Sequence, residues 1–254
     1  MYRRLARHVV GFVSLGILLL APAAANAQVI VKVNDTVNFR FGLQLQAWAD
    51  WTQDANSEGY SQNLFIRRIR MQMLATVAPG VSIFYQTDNP RVGNGGADGN
   101  KIINTGFLTQ DAFVEWKLCA EALMLEGGLW LVPTSRNGLE STASFLAFDI
   151  GAFALQGNTA ENGNGGRDYG FGLKGYLVDD HLEYRFGVFD GHRNPVAPQG
   201  GGLGSEAGSR NPYRMAGRLN YDFFDTEKGY TYAGTNRGLK KIVAIGGWGD
   251  GQGT

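Results

Sequence analysis

Residues Asn38 to Trp51 read NFRFGLQLQAWADW. The odd positions are Phe39, Phe41, Leu43, Leu45, Ala47, Ala49 and Trp51, all apolar. The even positions are Asn38, Arg40, Gly42, Gln44, Gln46, Trp48 and Asp50, nearly all polar or small. Side chains of a strand alternate between faces, so this stretch is a strand with one greasy side and one wet side. Fourteen residues at about 3.3 Å each reach roughly 46 Å. Globular strands usually stop after about five or six residues. A tilted membrane strand needs roughly 9–11 residues in hydrocarbon plus overhang.

The same theme recurs along the chain. Leu64–Ala78 alternates Phe65, Ile69, Met71, Met73, Ala75 and Val77 against Arg68, Arg70 and Gln72, and Pro79-Gly80 is a tight turn. Val81–Asp88 returns. Phe107–Lys117 sets Leu108, Ala112, Val114 and Trp116 against Thr109, Asp111, Glu115 and Lys117. Leu123–Val132 carries Leu123, Leu125, Leu129 and Leu131 on its greasy face. Asp168–Val178, Leu182–Asp190, Tyr213–Tyr221 and Lys240–Trp248 complete about nine strands. Gln28–Thr36 reads as a lead-in, and Thr52–Asn63, Asn89–Gly106, Pro133–Gly166 and His192–Asn211 as long loops. Short turns fall between them, near Cys119–Glu121 and Asp179–His181. Alternating long loops and short turns characterise outer-membrane barrels. Aromatic residues near strand ends (Trp51, Phe65, Tyr85, Trp116, Tyr169, Tyr213, Tyr221) match interfacial girdles. The expected fold is therefore all-β, an antiparallel transmembrane β-barrel. The odd strand count and the loop-like tail Gly249–Thr254 read as the N-terminal part of a longer barrel, residues 28–254.

The N-terminus fits export. Arg3, Arg4 and Arg7 precede the apolar run Val9–Leu20, and Ala25-Asn26-Ala27 is a small-residue cleavage site. Residues 1–27 are expected to be a signal peptide cut after Ala27. Of 23 Lys and Arg, those three leave with it, so 20 remain against 23 Asp and Glu. That mild net charge of −3 excludes nucleic acid as an evident partner. Cys119 is the only cysteine, so no internal disulfide forms. The remaining histidines, His181 and His192, lack metal-ligand spacing. The Asn/Asp/Gly-rich stretches Asn94–Asn100 and Asn158–Asp168 match no ordered Ca²⁺ loop. No catalytic constellation, metal site or cofactor is expected.

Three stretches are similar to the phosphate-selective porin O/P family: Phe65-Ile66-Arg67-Arg68-Ile69-Arg70, Gln110-Asp111-Ala112-Phe113-Val114-Glu115-Trp116, and Gly127–Leu139 (GGLWLVPTSRNGL). Gly229–Gly234 (GYTYAG) also fits. The resemblance implies a sixteen-stranded homotrimeric porin in the Gram-negative outer membrane, whose third loop, about residues 134–166 here, folds into the lumen.

An arginine facing lipid at mid-depth costs roughly 2–4 kcal/mol. Arg68 and Arg70 must therefore point inward, and Arg40, Arg185, Arg214 and Arg218 share that parity. Arg67 has the opposite parity and is expected to snorkel from a strand end. These arginines are expected to line the pore and favour anions such as phosphate, because guanidinium pairs well with oxyanions. The bland reading is a solvated, internally paired wall, since Asp50, Asp111, Glu115, Glu126 and Glu183 also point inward. The family's phosphate selectors place lysine in the constriction loop. Thr134–Gly166 has none, carrying Arg136 with Glu140, Asp149 and Glu161. A transverse field between Glu140 and Asp149 and the wall arginines is the alternative to phosphate selection. The function expected is passive diffusion of small hydrophilic, anionic solutes without enzymatic chemistry. An outer-membrane barrel enzyme and a secreted β-sandwich binding module are the other classes these patterns admit.

Overall fold

A computed structural model describes residues 28–53, 59–92, 106–146, 149, 165–191 and 212–253. Ten strands follow one another in chain order round a single antiparallel sheet. They are β1 (Val29–Lys32), β2 (Asn38–Gln53), β3 (Tyr60–Ala78), β4 (Val81–Val92), β5 (Leu108–Cys119), β6 (Leu123–Leu131), β7 (Arg167–Leu177), β8 (Leu182–Phe189), β9 (Arg214–Asp222) and β10 (Ala244–Gln252). The all-β antiparallel fold stands. β1 and β10 are the sheet's two edges and do not pair with each other. No second sheet packs on the first among the described residues, and none of their helices is long and apolar enough to cross a membrane.

The strand count differs from the expected nine. The lead-in contains β1, whose Val29–Lys32 pairs with Phe41–Asn38. The tail is not loop-like, because β10 continues to Gln252 opposite Arg214. β4 likewise runs past Asp88 to Val92. Each of these segments is short of alternating apolar residues, and backbone pairing with a neighbour decides it.

The sheet has two faces of opposite character. The outer face exposes Phe41, Leu43, Leu45, Met71, Val114, Phe171, Phe186, Met215 and Leu219. The inner face buries Arg68, Arg70, Asp111, Glu126, Lys174, Glu183, Arg185 and Arg218. A water-soluble sheet arranges these the other way, because apolar surface is what folding withdraws from water.

Two bulges correct the expected parity. Gln46 pairs with Arg68 but Ala47 with Ile66, so Arg67 is an extra residue in β3. An extra residue on one strand lets successive side chains share a face. Arg67 therefore turns inward beside Arg68 and does not snorkel. Beyond the bulge Phe65 is inward and buried, packed edge-on against Trp48, and is no girdle residue. In the same way Gln86 pairs with Asp111 but Thr87 with Thr109. Gln110 is the extra residue, and both Gln110 and Asp111 face inward. Thr109 lands on the outer face beside Tyr85, against expectation.

The inner face also holds a core that alternation alone does not reveal. Trp130, Phe113, Val132, Phe189 and Ala216 pack together, with Phe84 and Tyr230 against them. Trp130 fits because its neighbours are glycines: a Cβ at Gly172 would lie 2.7 Å from the indole ring. Leu131, expected on the greasy outer face, is buried with Leu139 and Tyr232 where β6 ends and the chain turns in.

Candidate functional site: the inner wall and the two segments that cross it

Connections at one end of the sheet are long: 54–59, 93–107, 132–166 and 190–213. At the other end 79–80, 120–122 and 178–181 are short. The alternation fails once. The β9–β10 connection, Phe223–Val243, belongs to the short-turn end yet is long, and it runs back across the inner face.

There it meets the β6–β7 connection. Tyr232 forms a parallel bridge with Glu140. The Tyr232 N–H donates to the Leu139 carbonyl at 2.9 Å, and the Ser141 N–H donates to the Tyr232 carbonyl at 2.8 Å. Arg136 donates to Glu227 at 2.5 Å and to the Ala233 carbonyl at 3.2 Å. Two segments from opposite ends of the sheet therefore meet over the inner face, where the sequence pointed to one. GYTYAG is the part of the insert that reaches the wall, and its tyrosines are the functional residues that alternation missed.

Tyr232 sits among three guanidinium groups. Arg136, Arg185 and Arg218 lie 4.9, 5.0 and 5.4 Å from its ring centre. Cations over an aromatic face are drawn by its quadrupole. Its hydroxyl donates to Glu183. Burial first, and the nearby Glu183 carboxylate with it, pushes that hydroxyl up to about 12, against the pull of Arg185. Tyr232 thus stays a neutral donor at any ordinary pH.

The arginines expected to line the pore divide by partner. Arg68 bonds Gln46 at 2.6 Å and, with Arg67, bonds Asp149. Arg70 takes Asp88 at 2.9 Å and Thr142 at 2.6 Å. Arg185 grips one oxygen of Glu183 and the Gly229 and Tyr230 carbonyls. Arg214 is bidentate to Asp250. Arg218 bonds the Thr134 carbonyl, Asn220 and the Tyr232 hydroxyl, with no carboxylate partner among the described residues. Arg40 is exposed and has no hydrogen-bond or ion-pair partner among them. Among the described residues the wall is largely compensated, and the positive charge that their acids do not match one for one belongs to Arg40, Arg218 and the Arg67/Arg68 pair.

The loop acids also divide. Asp149 faces the wall arginines as the transverse-field reading expects. Glu140 does not: it makes no ion pair among the described residues, and burial raises its carboxyl above the usual range. Glu161, His192 and the stretch Asn94–Asn100 lie outside the described residues, as does most of Asn158–Asp168. No group of three His, Cys, Asp or Glu is placed to hold a metal among the described residues. From its turn His181 bonds the carbonyl of Asp222 at the end of β9, and Cys119 is free and exposed.

At the short-turn end the insert is clasped. Lys228 bonds Glu121 at 2.7 Å and also Asp180, and Lys117 bonds Glu121 at 3.0 Å. Hydrogen bonds from Lys228 and then Lys117 pull the Glu121 carboxyl down to about 2. Beside the clasp is a cavity of about 540 Å³ lined by Arg40, Lys117, Lys174 and Lys228 with Glu115 and Glu121.

No family model matches the chain, and no curated protein matches it either.

Proposed function

We propose that this chain forms wall and constriction of an outer-membrane porin, passing small hydrophilic solutes by passive diffusion with a preference for anions. The observation that carries the reading is the inversion of the sheet, with aliphatic and aromatic side chains exposed outside and ionised ones buried inside. Hydrocarbon is the solvent that tolerates such an outer face, and in hydrocarbon only helices and closed barrels satisfy their backbone groups. Exposed Trp51, Tyr60, Phe107, Tyr169 and Tyr213 gather at the long-connection end, as a girdle at one membrane surface does. On this reading the full barrel needs further strands between β10 and β1. The exported precursor loses residues 1–27, and the protein assembles as a trimer like the phosphate-selective porin O/P family it resembles.

Anion preference rests on the guanidinium groups that acids do not offset, chiefly Arg40 and Arg218. The absence of lysine from Thr134–Gly166 argues against dedicated phosphate selection. The test is reversal potential in planar bilayers under a KCl gradient. Ohmic channels that favour chloride support the reading, and cation preference removes the anion component. A detergent-free soluble protein that forms no channels ends it in favour of a secreted binding module. Hydrolytic turnover without conductance would favour a barrel enzyme.

A further inference from the structure

Between the β6–β7 segment and the wall lies a more enclosed cavity of about 210 Å³. Its lining is unlike the rest of the inner face. Gln44, Gln72 and Gln86 come from β2, β3 and β4, while Ser141, Thr142 and Thr231 add hydroxyls. Phe84, Phe145 and Tyr230 add aromatic surface.

The two arginines that reach this cavity are already spent. Arg70 is held by Asp88, and Arg167 by Asp111. The glutamines form a hydrogen-bonded belt: Gln72 donates to Gln86 at 2.5 Å, and Gln86 donates on to Gln110. Thr142 donates to the Gln44 carbonyl at 3.2 Å. Among the described residues this leaves the Gln44 side-chain –NH₂ as donor and the Gln72 side-chain carbonyl as acceptor.

Such a lining suits one ligand chemistry. A free oxyanion finds its cationic partners already neutralised. A hydroxyl both donates and accepts, so it satisfies the amide donor and the amide acceptor together. The aromatic rings offer apolar faces to C–H surfaces. From this we infer that the cavity is a subsite for a neutral cyclic polyol, such as a single sugar ring. The spare amide groups of Gln44 and Gln72 hold its hydroxyls, and Phe145 covers its C–H face, since Phe84 and Tyr230 already pack on Phe113. Pore selectivity is set by hydrogen-bonding groups as well as by charge, so the subsite would favour sugars over inert solutes of similar size. The inference rests on the porin reading only for how the solute reaches the cavity.

The test is saturation-transfer NMR on the detergent-solubilised full chain with methyl β-glucoside. The expected result is saturable transfer with a dissociation constant on the order of 1 mM, strongest on ring C–H protons. Gln44→Leu should weaken binding about fivefold, the worth of one neutral hydrogen bond. Phe145→Leu should remove the preference for ring protons. Neither residue holds the fold by an ion pair among those described. No transfer, equal transfer in both variants, or displacement by equimolar inorganic phosphate would overturn the subsite. Conductance measured separately decides the pore: channels without glucoside binding lose the subsite alone, whereas binding without channels keeps the subsite and loses the porin reading.

Discussion

The Tyr230 hydroxyl donates to a carboxylate oxygen of Asp111, 119 positions away in the chain. The same oxygen accepts from Arg167 at 3.1 Å, and the other accepts from Gln86 at 2.9 Å. One fully buried carboxylate thereby joins the insert, the start of β7 and the wall at β4. Asp111→Ala leaves a buried guanidinium and a phenol without their acceptor. Breaking a buried pair on one side costs about 3–5 kcal/mol. Urea unfolding in detergent, followed by tryptophan fluorescence, should show a loss on that scale.

Deleting Arg67 removes the β3 bulge. Ile66 then abuts Arg68, and the pairs Gln46–Arg68 and Ala47–Ile66 close into a regular ladder with β2, so the residues before the bulge keep their faces. Phe65 should stay in and Leu64 out. A spin label at Leu64→Cys reads this directly. It should be accessible to oxygen and shielded from a polar nickel reagent both in the otherwise unchanged chain and in the deletion; an exchange of the two accessibilities would show that Arg67 is not the extra residue.

The Lys228 clasp should survive a wide pH range. Glu121 is depressed from 4.5 to about 2, so its contribution is complete above 4.5 and is lost as pH falls through about 2. Lys228 is raised by Asp180 and then Glu121, so its contribution is complete below 10.5 and is lost only as pH rises through that raised value. Hydrogen exchange at the Gly229 N–H, which donates to the Tyr176 hydroxyl at 3.0 Å, should stay slow between those limits. In Glu121→Gln the protection should fall throughout and lose its acid dependence.

Arg40 and Arg185 should differ in what they control. Arg40→Gln removes an unpartnered charge. At ~8 Å in water one charge is worth about 0.5 kcal/mol to a passing ion, favourable for chloride and unfavourable for potassium, so the chloride-to-potassium permeability ratio should drop about fivefold with stability unchanged. Arg185→Gln strands Glu183 and the carbonyls of the insert, so thermal stability should fall before selectivity is readable.

On the outer face, Leu43→Arg should cost about 2–4 kcal/mol in a bilayer and little in solution, because the penalty belongs to hydrocarbon. Unfolding in lipid vesicles against detergent of high polarity separates the two cases.

Strand alternation carried most of the architecture, because a half-buried strand must repeat every two residues and Asn38–Trp51 does so. It also placed Arg68, Arg70, Arg185 and Arg218 on the correct face. It could not place Arg67, Phe65 or Thr109, since a bulge adds one residue without any mark in the local pattern. The gap between the strands read at Tyr213–Tyr221 and Lys240–Trp248 marked a connection but not its direction. What draws that segment across the wall is long-range: the tyrosines of GYTYAG answer to Asp111 and Glu183, far away in sequence. An aromatic pair in a connection at the short-turn end was the only available sign. Charge pairing on the wall was equally invisible, because parity shows where an arginine points and not which acid it meets.

The bridge between Tyr232 and the Leu139–Ser141 backbone also bears on biogenesis. Residues near 140 emerge from synthesis before residue 232 does. Their backbone groups have to remain solvated, or temporarily matched elsewhere, until the later segment arrives. The crossing of the two segments is therefore among the last parts to mature, and a chain interrupted before Phe223 would present a sheet on which it never sets.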